Sequence, residues 1–173
     1  MPGTCFALVL RSSKRFFSVV MFEVVGVTVI VMKPEHLVAV RAIEQQVSSV
    51  PWSDRQFSDS VQTHCARVFV MDEKVSGFGI YQKVLDRAEL LNIAIHPSLQ
   101  GQGFGQQLLT ALVEELPMSV KKMLLEVRVS NFRAIRLYHN QGFRQIGERK
   151  GYYATADGLL REDALVLCRD LMG

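Results

Sequence analysis

The residues with chemical potential lie in the second half of the chain. Gln100-Gly101-Gln102-Gly103-Phe104-Gly105-Gln106 separates a β-branched segment from a leucine-rich helical pattern. The first turn of a helix carries N–H groups with no partner and the positive end of the macrodipole, and glycines let an anion approach the backbone. The chemistry on offer is phosphate binding. Spacing narrows the ligand class. The dinucleotide pattern G-x-G-x-x-G fails, because its last position falls on Gln106 counted from Gly101 and on Leu108 counted from Gly103. A P-loop fails because no Gly-Lys-Ser/Thr follows. What remains is Gln100-x-x-Gly103-x-Gly105. Tight packing at a helix start is the alternative use of such glycines, but it does not account for three of them at alternate positions, as bound phosphate does.

A second constellation follows. Leu124, Glu126 and Arg128 share one face of a strand by period-2 alternation, and Met123, Leu125, Val127 and Val129 share the other. Both faces begin apolar, so Glu126 stands where a sheet is normally covered. Asn131 just beyond is a good N-cap. Tyr138, seven residues on, returns to about the same helix face. A carboxylate, an amide and a phenol could converge on one cleft and move protons. By residue type alone two other readings stand beside this one. Glu126 could be a solvated carboxylate paired with Arg128, and Tyr138 a half-buried aromatic with its hydroxyl in water.

These residues need elements to hold them. Val24 to Met32 reads as a strand by β-branched enrichment. Pro34 opens a helix with Leu37, Val40, Ile43 and Val47 on its apolar face. Ser53 caps a second helix carrying Phe57 and Val61. Such apolar faces serve a core or a dimer equally well, so periodicity leaves the oligomeric state open. Strands Arg67 to Met71, Val75 to Leu85 and Glu89 to Ile95 make an antiparallel meander with turns at Asp72-Glu73-Lys74 and Asp86-Arg87. The glycine loop then leads into a helix with Leu108, Leu109, Leu112, Val113 and Leu116, stopped near Pro117. Met123 to Val129 is a strand, and Asn131 to Asn140 a short helix closed by Gly142. Strands of about Phe143 to Tyr152 and Asp163 to Leu171 are joined at Asp157-Gly158. The order β-α-α-β-β-β-α-β-α-β-β is an α+β domain.

Composition sets the outer limits. The chain has 173 residues, which predicts one domain with a core of its own. Hydrophobic residues make up 49% and charged residues 21%, which excludes a disordered chain. A net charge of +3 is too small to argue for nucleic acid, though it suits a polyanionic small ligand. Cys5, Cys65 and Cys168 are odd in number and far apart, which excludes a disulfide framework and suits a reducing cytosol. The four histidines lack metal-ligand spacing, so no metal is predicted. No segment reaches the roughly 20 apolar residues of a membrane span. Arg11, Lys14 and Arg15 before Phe16-Phe17 imitate a signal peptide loosely, but the apolar run before Glu23 is short and no A-x-A-like site follows. Residues 1–20 are therefore predicted as an unstructured extension and 21–173 as one domain in the cytoplasm.

The loop pattern resembles the acetyl-CoA loop, Q/R-x-x-G-x-G/A, of the GNAT superfamily of N-acetyltransferases. Longer motifs are more specific. Pro51-Trp52-Ser53, Asn92-Ile93-Ala94-Ile95-His96-Pro97, Leu125 to Asn131 with Ala134-Ile135, Leu137-Tyr138 and Gly142-Phe143, Arg149, Tyr152-Tyr153 and Glu162-Asp163-Ala164 stand in the order of the ribosomal-protein alanine N-acetyltransferases (RimI type). The likeness runs from about residue 28 to the end. It implies the GNAT fold, a mixed central sheet of about seven strands with helices on both faces. It implies acetyl-CoA as cosubstrate. The acceptor it implies is a protein N-terminal α-amine, that of the N-terminal alanine of the eighteenth small-subunit ribosomal protein. A lysine side chain or a small-molecule amine is the enzymatic alternative, and a CoA-binding module without turnover is the other.

Carried over position by position, the resemblance makes Glu126 the proton acceptor and Tyr138 the proton donor. Ile93, Ala94 and Ile95 would line the pantetheine arm. Gly101, Gln102, Gly103, Phe104, Gly105 and Gln106 would hold the pyrophosphate, and Asn131 would touch the cofactor. The family often places Arg directly after the loop glutamine; Gly101 stands there in this chain, which removes one phosphate cation and leaves the backbone cradle. An α-amine has a pKa near 8, so a weak base suffices, whereas lysine demands a stronger one. No cysteine falls in the cleft motifs, so transfer is expected to be direct, in a ternary complex. Tyr152, Tyr153, Glu162 and Asp163 could shape a peptide slot with an acidic lip, or form an ordinary hairpin with aromatic cross-strand pairs. Trp52 is a candidate for the same slot, and as a side chain a packing anchor for the first loop.

Overall fold

The computed structural model describes residues 26–172. The predicted extension over 1–20 lies outside the described residues. Seven strands form one sheet: β1 (Val27–Val31), β2 (Cys65–Met71), β3 (Lys74–Val84), β4 (Arg87–Ile95), β5 (Lys122–Arg128), β6 (Arg144–Ala154) and β7 (Arg161–Asp170). Four helices connect them: α1 (Leu37–Val47), α2 (Asp54–Thr63), α3 (Phe104–Glu114) and α4 (Phe132–Asn140). The predicted order is observed, and the strand boundaries move by a few residues. The start of the first predicted strand falls outside the described residues, and Gly26 turns the chain into Val27 with a φ of 87°. Pro34 opens a single 3-10 turn, Pro34–His36, and the α-helix proper begins at Leu37.

The sheet order is β1-β2-β3-β4-β5-β7-β6, antiparallel except between β4 and β5. Alternation along the strands feeds two cores. Val68, Ile80 and Ala94 join α1 and α2 in one; their neighbours Phe69, Tyr81 and Ile95 join α3 and α4 in the other. Because successive strand side chains point to opposite faces, the helix pairs cover opposite faces of the sheet. The apolar faces of α1 and α2 thus serve the core. On α3, Leu108, Leu109 and Leu112 are fully buried, each contributing about 1.5–3 kcal/mol of hydrophobic transfer. The caps follow the sequence: Gln56 N–H donates to Ser53 Oγ at 3.3 Å, and Ala134 N–H to Asn131 Oδ1 at 3.1 Å.

The feature that creates a site is the parallel junction. β4 and β5 pair over only Arg87–Leu90 and Lys122–Leu125. The register of β3 against β4 slips between Ile80 and Tyr81, with Leu91 the extra, bulged residue of β4. A bulge bends and twists its strand. Beyond it, β4 continues along β3 while β5 pairs with β7, and a cleft opens between them. No helix among the described residues is long and apolar enough to cross a membrane.

Candidate active site

The cleft has two ends that share walls. One is lined by Gln100, Gly101, Gly103, Gly105, Gln106, Arg133 and the Ile93–Ile95 stretch. The other is lined by Trp52, Leu125, Glu126, Tyr152 and Tyr153. Glu44, Asn92, Ile93, Arg128, Asn131 and Tyr138 line both, so the two ends are continuous.

At the glycine end the backbone does the work. Gly101 and Gly103 adopt φ values of 84° and 86°, in the left-handed region that an L side chain enters only at a cost. A Cβ placed on Gly103 would meet nothing within 4 Å, so the space before α3 is open to a ligand. Gly103 is also the N-cap of α3, and no side chain caps that helix. Its first N–H groups are left for an anion. Gln100 pins the loop: its Nε2 donates to Ile95 O at 2.9 Å, and its Oε1 accepts from Arg133 Nη1 at 2.8 Å. Gln102 and Phe104 are not cleft walls. Gln102 Nε2 donates to Ser98 O at 3.1 Å, and the Phe104 ring packs 5.6 Å from Phe69.

At the other end side chains do the work. Tyr138 on α4 is only 6% exposed, with its ring 5.7 Å from Phe143, yet it borders both ends of the cleft. Burial, and then the neighbouring Tyr153, push its phenol well above the usual tyrosine range, so it is protonated at neutral pH. Glu126 on β5 has a side chain 27% exposed and paired with Arg149, Nε to Oε1 at 3.0 Å. Arg149 in turn lies over the Tyr152 ring at 5.2 Å. Tyr152 is raised first by the Glu126 carboxylate it faces, then by burial. Tyr153 is pushed up to about 12, chiefly by burial and then by Glu126, and its hydroxyl donates to Glu126 O at 3.1 Å. Glu126, Tyr152, Tyr153 and Arg149 therefore form one assembly across β5 and β6. The alternative reading that paired Glu126 with Arg128 is not what forms; Arg149 takes that place, because Arg128 is held by other partners.

Those partners include Glu162. Arg128 Nη1 donates to Glu162 Oε2 at 3.1 Å, Arg128 Nη2 to Ala154 O at 3.0 Å, and Ser130 N–H to Glu162 Oε1 at 2.8 Å. Glu162 is not a cleft wall. Burial works against its charge, but Ser130 and Arg128 hold its carboxyl below the usual range. Asp163 likewise accepts from Lys150 at 2.8 Å and Gly151 N–H at 2.7 Å. Both carboxylates of the expected acidic lip thus brace the hairpin. Trp52 both lines the cleft and packs on Phe57 at 5.4 Å.

Glu44 of α1 escaped sequence reasoning. It is 3% exposed; Oε1 accepts from Trp52 N–H at 3.1 Å and Oε2 from Asn92 Nδ2 at 3.3 Å. It ties the loop after α1 to the bulged part of β4. Burial raises its carboxyl, with the Trp52 and Asn92 hydrogen bonds opposing. The signal was available: Glu44 falls four residues after Val40 and seven after Leu37, a carboxylate inside an apolar stripe. Among the described residues, no group of three or more His, Cys, Asp or Glu could hold a metal ion.

The sheet splits at its parallel junction, with an uncapped helix start at one end of the split and titratable groups at the other, so one cleft can hold a phosphate-bearing ligand beside groups that move protons. The chain belongs to the acetyltransferase (GNAT) family, whose profile matches residues 22–143. Among its relatives is the [ribosomal protein bS18]-alanine N-acetyltransferase of Escherichia coli strain K12, 39% identical over 142 residues, covering 81% of this chain and 95% of that one. The protein of the same name from Haemophilus influenzae is 41% identical over 127 residues, 72% of this chain and 86% of that one. The crystal structure of the Escherichia coli ribosomal-protein-S18-alanine N-acetyltransferase superposes with a TM-score of 0.77 at 37% identity, covering 84% and 94% of the two chains. Arabidopsis thaliana NAA60 in complex with acetyl-CoA also superposes at 0.77, but at 18% identity, a likeness of fold alone, over 85% and 99%.

Proposed function

We propose that this protein transfers the acetyl group of acetyl-CoA to the N-terminal α-amine of alanine in ribosomal protein bS18, by direct attack in a ternary complex. The observation that carries the reading is the position of Tyr138, on the wall shared by the phosphate-binding end and the Glu126 end of one cleft. The relatives' activity supports the choice of acceptor. The proposed substrate makes the cytoplasm the place of the reaction.

In this reading the CoA phosphates rest on the N–H groups around Gly101–Gln106, and the pantetheine arm lies along Ile93–Ile95. Asn131, capping α4 at the same wall, borders the arm. The amine enters past Trp52, Tyr152 and Tyr153. Its nitrogen attacks the thioester carbonyl carbon; the C–N bond forms and the C–S bond breaks. The proton lost by nitrogen goes to Glu126, directly or through one water. The departing thiolate takes the Tyr138 proton, giving free CoA and the amide. Holding both reactants in one cleft supplies the orientation that makes attack effectively unimolecular.

The test is free-CoA release with acetyl-CoA and a short peptide matching the bS18 N-terminus, beside the same peptide with its α-amine blocked and a lysine exposed. Release with the free α-amine alone is the expected result. Release with the lysine peptide would move the acceptor to side-chain amines. Acetyl-CoA binding without release on either peptide or on a panel of small amines would leave a binding module.

A further inference from the structure

Phosphate groups need more than a neutral cradle. The loop Gln100–Gln107 contains no lysine or arginine. Around this end of the cleft, among the described residues, the only cationic side chains in the wall are Arg128 and Arg133. Arg128 is neutralised by Glu162 at 3.1 Å and lies over the Tyr153 ring at 4.5 Å. Arg133, in the first turn of α4, is exposed, and its one hydrogen bond among the described residues is to the neutral amide of Gln100. No carboxylate lies within ion-pair distance of it among the described residues.

Its position is also fitted to the loop. Arg133 Nη2 lies 3.1 Å from where a Cβ on Gly101 would stand. The guanidinium therefore covers the bare face of Gly101, and a side chain there would push it away. Gln100 holds Nη1 with an acceptor while its own Nε2 is fixed to Ile95 O, so the guanidinium is oriented before any ligand arrives. A planar guanidinium with remaining donors suits phosphate oxygens better than an ammonium does.

We propose that Arg133 is the phosphate-binding cation of this site, reaching from α4 over Gly101 to supply the charge that the glycine loop lacks. The inference rests on the acetyl-CoA reading above and adds a residue to it. It makes Gly101 and Arg133 a pair: one residue gives up its side chain and the other fills the vacated face with a cation. Because the ligand's phosphates lie far from the acyl group, Arg133 acts on cofactor affinity and leaves the chemical step alone.

The experiment is calorimetric titration of the full chain with acetyl-CoA, 3′-dephospho-acetyl-CoA and S-acetylpantetheine, in wild type, Arg133→Ala, Arg133→Lys and Arg136→Ala. Arg136 is exposed on the same helix and outside the cleft wall, so its removal is a matched loss of charge. Arg133→Ala should weaken acetyl-CoA binding about tenfold, as a charge-assisted hydrogen bond predicts. Lysine should restore part of that loss, and Arg136→Ala should lose less than about twofold, as a surface charge does. The deficit should shrink as salt is raised, and S-acetylpantetheine should bind wild type and Arg133→Ala alike. A deficit that vanishes with 3′-dephospho-acetyl-CoA assigns the contact to the 3′-phosphate; one that persists assigns it to the pyrophosphate. Unchanged acetyl-CoA affinity in Arg133→Ala, or an equal deficit in Arg136→Ala, overturns the proposal while leaving the cofactor reading intact. No acetyl-CoA binding by wild type overturns the cofactor reading and this proposal together.

Discussion

The two ends of the cleft are built by different means. The glycine end is a backbone device: left-handed glycines, an uncapped helix start and a glutamine that fixes the loop. The Glu126 end is a side-chain device, in which Glu126, Tyr138, Arg149, Tyr152 and Tyr153 come from β5, α4 and β6. A backbone site tolerates many side chains but few conformations. A side-chain site tolerates backbone adjustment but few changes of residue. In the proposed reaction the same contrast separates binding from chemistry, because hydrogen bonds to phosphate would hold the substrate while proton transfer needs groups of defined basicity.

The largest expected effect falls at the Glu126 end. Glu126→Gln should lower kcat by about 10²-fold or more, the ordinary weight of a general base, with acetyl-CoA affinity unchanged. Tyr138→Phe should also act on kcat and spare that affinity. Steady-state kinetics beside calorimetry checks both, and a loss confined to acetyl-CoA affinity would erase the division between the two ends. Next comes Gly103→Val. A β-branched residue at φ 86° costs about 1–3 kcal/mol of stability, or the loop relaxes and the cradle is lost. Thermal melts and acetyl-CoA titration should show lowered stability, or binding weakened about tenfold, with kcat at saturation near wild type.

The smallest effect belongs to Glu44, at the wall common to both ends. Burial raises its carboxyl in the folded protein, so the native state binds the proton more tightly than the unfolded chain does. Stability therefore falls as pH rises from the ordinary carboxylate range through the raised value, and levels off above it. Glu44→Gln removes that titration and keeps one acceptor for Trp52 N–H or Asn92. The melting temperature of the variant relative to wild type should rise across that window and then stay flat. A difference constant from acid to neutral pH would show that Glu44 carries no such strain.

Legibility followed the range of the interactions. Helix starts at Ser53 and Asn131, the meander and the glycine loop are local, and each was readable from residue type and spacing. The face of β5 that carries Glu126 was readable too, since alternation is a property of the strand itself. The partner of Glu126 was not. Period-2 spacing offered Arg128, but β7 inserts between β5 and β6 and brings Glu162 to Arg128, leaving Arg149 of β6 for Glu126. Glu162 looked like a lip because its neighbours across the sheet are 32 and 34 residues away in sequence and invisible to spacing.

The sequence by itself determined the elements, the order in which they occur and the loop that can cradle phosphate, because those depend on backbone preferences within a few residues. Only the tertiary structure decided where the sheet splits, which carboxylates face the cleft and which are neutralised, and that Arg133 covers Gly101. These are matters of long-range charge pairing and desolvation. They are fixed by which strands and helices become neighbours, and no local pattern encodes that.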